Sequence, residues 1–143
     1  GPQSALPMPS SSSRAKATGR PGEVLLHVYN LLKLKRVRFA NAILRPLGTG
    51  AYHAAIEVYG VEYSFGFREG GTGVFARHPK GDQKHHYRQA ISLGITRFSE
   101  DQVRQLVRQM QGEWQGDDYD LLRRNCTHFA TALSQELGVD QVP

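Results

Sequence analysis

The sequence contains one cysteine in 143 residues. That excludes an internal disulfide and makes a reducing compartment, cytoplasmic or nuclear, the expectation. No stretch of about 18 consecutive apolar residues occurs, so no segment reads as a membrane-spanning helix. Neither C-x-x-C nor H-x-x-x-H spacing is present, so no metal site and no cofactor are expected. Gly70, Gly71 and Gly73 lack a following Lys-Ser/Thr and helix, which removes a phosphate-binding loop. An initiator Met is also missing. The Gly1-Pro2 start resembles a scar of tag cleavage, so a native N-terminal signal would be invisible.

What is present describes one globular unit. Hydrophobic residues make up 39% and charged residues 22% of the chain, ordinary values for a packed domain. Residues 1–22 are rich in Ser and Pro and read as a disordered tail, because they carry too little apolar surface to offset the entropy of ordering. Residues 23–140 are long enough for a single core. The net charge of +5 favours acidic partners by steering. The basic cluster Lys33, Lys35, Arg36 and Arg38 has no aromatic stacking platform, so nucleic acid is not an expected partner.

The hydropathy pattern places the elements. Val24 to Tyr29 is a β-rich run. Residues 52–58 and 61–67 alternate around Tyr59-Gly60 and predict a hairpin. Val74 to Ala76 and Gln89 to Leu93 read as further strands, with a polar loop from His78 to His86. Ser99 and Gln102 make a capping box before Val103, Leu106, Val107 and Met110, a stripe at helical spacing that belongs to the core. A short helix is expected over Asp120 to Arg124. A last helix starts at the N-cap Asn125, buries Phe129, Ala130, Leu133 and Leu137, and stops at Gly138. Residues 30–50 fit no period. They read as a solvated connection with buried anchors, or as a basic, partly apolar lip that contacts an acidic substrate or a membrane surface.

The chemistry concentrates on Cys126, the first residue of that last helix. A helix end is worth about 0.3–1 kcal/mol to a charge. One pKa unit is about 1.36 kcal/mol, so the dipole alone cannot bring a thiol from about 8.5 to a reactive thiolate at neutral pH. An imidazolium must do the rest. Of the six histidines, His128 lies two residues from Cys126 and faces elsewhere on a helix, which gives it a structural role. His78, His85 and His86 fall in the polar loop, and His27 reads as a core histidine. His53 opens a strand, where a side chain is rigidly placed. Spacing alone leaves both residues with two readings: Cys126 as nucleophile or inert buried thiol, His53 as general base or satisfied core histidine.

Three segments carry a family resemblance: GTGAYHAAIEVYGVEYSFG (48–66), QAISLGITRFSEDQVRQLVRQM (89–110) and GDDYDLLRRNCTHFATALSQELG (116–138), the last with an Asn-Cys-x-x-Phe signature. Together they resemble the PPPDE superfamily of desumoylating isopeptidases over most of 24–138. The resemblance implies an α+β, circularly permuted papain-like fold, a small antiparallel sheet or barrel packed against helices, with the histidine ahead of the cysteine. It implies a Cys–His dyad of Cys126 and His53, and ubiquitin-like or SUMO-like conjugates as substrates. The stretch 31–47 is longer and more basic than the usual family loop, and the Ser/Pro tail has no family counterpart. A protein S-acyl thioesterase acting on membrane-proximal acyl-proteins and a catalytically silent binding module are the alternatives. A homodimer stays open.

Overall fold

The computed structural model describes residues 17–30, 52–79, 86–140 and 142–143. The basic stretch 31–47, the glycines at 48 and 50, His85 and residues 1–16 of the expected tail lie outside the described residues. Among the described residues, five strands and two helices follow in order: β1 (Glu23–Asn30), β2 (Tyr52–Val58), β3 (Val61–Phe65), β4 (Val74–Arg77), β5 (His86–Ile95), α1 (Glu100–Glu113) and α2 (Cys126–Leu137), with a 3₁₀ turn at Gly116–Asp118. The strands form one antiparallel sheet in the order β4-β3-β2-β1-β5. The architecture is α+β, as the sequence led us to expect.

Local chemistry explains most of these boundaries. Tyr59 (φ 49°) and Gly60 (φ 75°) both adopt the left-handed region, which matches the right-handed twist of the strands they join. Ser99 and Gln102 exchange the reciprocal bonds of a capping box at the start of α1. Gly138 ends α2 in the left-handed conformation (φ 73°). The segment Asp120–Arg124 departs from the expected short helix. Asp120 and Arg124 exchange backbone bonds of 3.0 Å in both directions, and the Asp120 carboxylate accepts from the N–H groups of Leu122 and Arg123. An Asp side chain that captures the next amides closes a turn in place of a helical one. Strand β5 begins at His86, so the polar loop is shorter than expected.

The two faces of the sheet differ. Val24, Leu26, Ala54, Ile56, Val58, Tyr63 and Phe65 belong to the core that Val103, Val107 and Met110 of α1 and Phe129, Ala130 and Leu133 of α2 complete. The other face carries His27, Tyr29, Glu57 and Glu62, which strand alternation and the cross-strand register place on one side. Most of this polar face is buried too, and it is internally paired. His27 (1% exposed) contacts Glu57 at 2.7 Å, and the Tyr29 hydroxyl donates to Glu62 at 2.6 Å. Glu57 and Glu62 stand directly opposite one another, an arrangement that destabilises a ladder unless each carboxylate has its own partner.

Two glycines permit the close packing that steers the chain toward α2. Gly73 donates to Trp114 at 2.8 Å and Gly116 donates to Gly71 at 2.9 Å, which ties the β3–β4 loop to the end of α1. A Cβ on Gly116 would stand 2.3 Å from the Arg68 carbonyl oxygen. Nearby, Phe65, Trp114 and Phe129 meet edge to face or tilted at 5.0–6.2 Å, and the Arg124 guanidinium lies 3.8 Å over Trp114. This cluster anchors both ends of the segment that leads into α2.

Candidate active site

Asn125 sets the start of α2. Its side-chain oxygen accepts from the N–H groups of Thr127 (2.9 Å) and His128 (3.2 Å), and its amide nitrogen donates to the Leu121 carbonyl at 2.8 Å. His128 completes a capping box: its Nδ1 accepts from the Asn125 backbone N–H at 3.1 Å. The ring nitrogen nearest the backbone is therefore engaged in holding the helix start, which is the structural role read from the sequence. His27 is the core histidine expected, satisfied by Glu57. His78 is exposed.

Cys126 is buried, with 6% of its surface exposed, at the first residue of α2. Its sulfur accepts a hydrogen bond from the backbone N–H of Ala54. That donor is available because the β2–β3 ladder covers only Ile56 to Val58, so the upstream part of β2 meets the helix start instead of β3. His53, half-buried, immediately precedes Ala54 on the same strand. The structure thus brings the nucleophile candidate to within one residue of the base candidate along β2, although they are far apart in sequence.

Electrostatics at the sulfur oppose one another. Burial pushes the Cys126 thiol up. The hydrogen bonds from Ala54 N–H, the Thr127 hydroxyl and N–H, and its own N–H pull it down, and burial prevails. The thiol therefore depends on a cationic neighbour for ionisation even more than helix-end arithmetic suggested. Tyr119 was not singled out by sequence reading. Burial raises its phenol, and a negative charge on Cys126 raises it further, which places its ring in the electrostatic reach of the sulfur. It packs on Phe65 at 5.4 Å. Its only sequence signal was an aromatic between two turn residues ahead of the Asn-Cys pair. Leu121 and Leu122, on the turn just before Asn125, are exposed. Among the described residues, no group of three or more His, Cys, Asp or Glu side chains gathers to hold a metal ion.

A buried thiol thus stands at a helix start, beside a strand that carries a histidine. Residues 22–143 match the family model described as "PPPDE putative peptidase domain", and the chain belongs to that family. It is 31% identical over 141 residues to the Desumoylating isopeptidase 1 homolog of Caenorhabditis elegans, covering 94% of this chain and 40% of that protein. It is 34% identical over 124 residues to the DeSI-like protein sdu1 of Schizosaccharomyces pombe, covering 85% and 60%. A DeSI-like protein of Arabidopsis thaliana is 29% identical over 137 residues, covering 94% and 58%. The chain thus spans between 40% and 60% of the length of these relatives.

Proposed function

We propose that this chain is a cysteine isopeptidase that cuts the bond between the C-terminal Gly-Gly tail of a SUMO-like or ubiquitin-like modifier and a lysine side chain. Cys126 is the nucleophile and His53 the general base. The observation that carries the reading is the hydrogen bond from Ala54 N–H to the Cys126 sulfur, which sets the thiol beside the residue that follows His53. The family supports a peptidase, and the name of the Caenorhabditis elegans relative, a desumoylating isopeptidase homolog, points to SUMO conjugates among the modifiers.

In this mechanism His53 takes the Cys126 proton, and the thiolate attacks the carbonyl carbon of the terminal glycine. The oxyanion is met by the Cys126 backbone N–H at the helix start. Protonated His53 then gives its proton to the leaving lysine amine as the C–N bond breaks, leaving a thioester on Cys126. His53 next deprotonates a water that attacks the thioester. The modifier leaves with a free carboxylate and the thiol is restored. Since burial holds the thiol up, the imidazolium of His53 is the group that stabilises the thiolate. The order of the two residues, histidine strand before cysteine helix, suits a circular permutation of the papain arrangement.

The test is a panel of probes: SUMO and ubiquitin bearing a C-terminal electrophile, and a fluorogenic lipid thioester. Capture of a modifier probe at Cys126, lost in Cys126→Ala, supports the reading. Turnover of the lipid thioester without capture of either modifier redirects it to acyl-protein hydrolysis. Reaction with none of them identifies a binding module.

A further inference from the structure

The first turn of α2 spends most of its donors on its own cap. The Asn125 side chain accepts from the N–H groups of Thr127 and His128, His128 accepts from the Asn125 N–H, and the Phe129 N–H donates to the Asn125 carbonyl at 3.1 Å. In this turn the Cys126 N–H alone takes no part in the cap. The Ala54 N–H and the Thr127 hydroxyl are directed at the sulfur itself. An oxyanion forming here is therefore left with one amide from the helix, where acyl-transfer sites aim several preorganised donors.

Tyr119 is placed to give another. The antiparallel bridge between Asp120 and Arg124 has Tyr119 as the next residue on one chain and Asn125 as the next on the other, so each lies one residue from the point where the two chains meet. The Tyr119 ring packs on Phe65 at 5.4 Å, and Phe65 packs at 6.2 Å on Phe129, which shares a helix face with Cys126 three residues before it. Tyr119 is half-buried against the core cluster to which Cys126 belongs. Among the described residues its hydroxyl has no hydrogen-bond partner. Packing does not call for that hydroxyl, since a phenylalanine fills the same space with no polar atom to desolvate. Burial and a negative charge on Cys126 both raise the phenol, so it keeps its proton at neutral pH and is a donor there, not a base.

We propose that Tyr119 is a catalytic residue whose hydroxyl donates a second hydrogen bond to the oxyanion formed when Cys126 attacks the substrate carbonyl. The inference rests on the reading of Cys126 as the nucleophile. As the S–C bond forms, the carbonyl π pair moves onto oxygen, and the phenol donates to that oxygen without giving up its proton. When the C–N bond breaks, the pair returns to the carbonyl. The same contact serves again when water attacks the thioester.

The experiment compares two kinds of reaction at the same sulfur in wild type and in Tyr119→Phe, a variant that keeps the ring against Phe65. Cleavage of a SUMO–lysine conjugate, and acylation of Cys126 by p-nitrophenyl acetate, both pass through an oxyanion. Alkylation by iodoacetamide is a displacement at a saturated carbon and forms none. The expected result is a kcat on the conjugate lower by about 10²–10³ with KM unchanged, slower acylation, and an alkylation rate and pH limb equal to those of wild type. A hydroxyl that only packs leaves every reaction at its wild-type rate, and that outcome overturns the proposal. A parallel loss of cleavage and alkylation also overturns it, because the hydroxyl then acts on the thiol and not on the oxyanion. Cys126→Ala separates this test from the one before. If it still cleaves the conjugate, the nucleophile is misassigned. If it is inert while Tyr119→Phe cleaves like wild type, only the role of Tyr119 fails. If wild type cleaves no SUMO conjugate, the modifier reading fails, and the acylation rate of Tyr119→Phe against wild type decides this one.

Discussion

The backbone N–H of Ala54 on β2 donates a hydrogen bond to the sulfur of Cys126 at the first residue of α2. An amide donor favours the thiolate, but burial of the same sulfur outweighs it, so the thiol sits above its ordinary value when these groups alone act on it. The account therefore predicts two different alkylation profiles. With His53 in place, Cys126 reacts with iodoacetamide readily at pH 6. In His53→Ala the reaction is slow until the pH passes the raised value of the isolated thiol, above the reference of 9.0. Equal rates for the two proteins at pH 6 would remove His53 from the mechanism.

The cap of α2 predicts a separation of stability from chemistry. Asn125→Ala deletes the acceptor for two amides and should cost about 0.5–2 kcal/mol, read as a lowered urea midpoint. His128→Ala removes the acceptor for one amide and should cost less. Assayed well below its midpoint, His128→Ala should keep the wild-type kcat. A kcat loss as deep as that of His53→Ala would transfer the role of base to His128.

Much of this site was legible in the sequence, for a physical reason. Helix starts, turns and amphipathic stripes are local, and residues such as Ser99, Asn125, Gly60 and Gly138 act within a few positions of themselves. Cys126 stood out as the only thiol, and His53 was singled out among the six histidines by its place at a strand start and by the family resemblance. The sequence could not show which strands neighbour which, since β1 pairs with both β2 and β5 across long stretches of chain. Nor could it show that the polar face is buried. Glu57 and Glu62 alternate with apolar residues and look like a solvated side, and only tertiary packing reveals that they pair with His27 and Tyr29. The helix expected over Asp120 to Arg124 failed because the Asp120 carboxylate competes for the amides that a helix needs.

Glu23 predicts an acid-dependent term in stability. Burial raises its carboxyl, but donors from Thr18, Ser92 and Gly19 outweigh that and hold it below the reference value of 4.5. A carboxyl lowered in the folded state stabilises the fold above its unfolded pKa, and the contribution disappears as pH falls through the folded value. Urea midpoints of wild type and Glu23→Gln should differ at neutral pH and converge as pH drops below about 4.5. A constant difference across that range contradicts the assignment.

Gly116→Ala tests the packing that delivers the chain to α2. Its new Cβ would meet the Arg68 carbonyl oxygen and backbone nitrogen at 2.3 and 2.7 Å, so backbone must shift. Overpacking of this kind costs about 1–3 kcal/mol. The expected outcome is a lower thermal midpoint together with reduced activity. A variant as stable as wild type would show that the β3–β4 loop yields without strain.

The most direct test of the whole account is hydrolysis of a lysine-linked SUMO conjugate by Cys126→Ala protein whose circular dichroism matches wild type. The account predicts a folded protein that releases no modifier. Release at the wild-type rate from that protein would contradict it, because no other thiol in the chain can form the thioester.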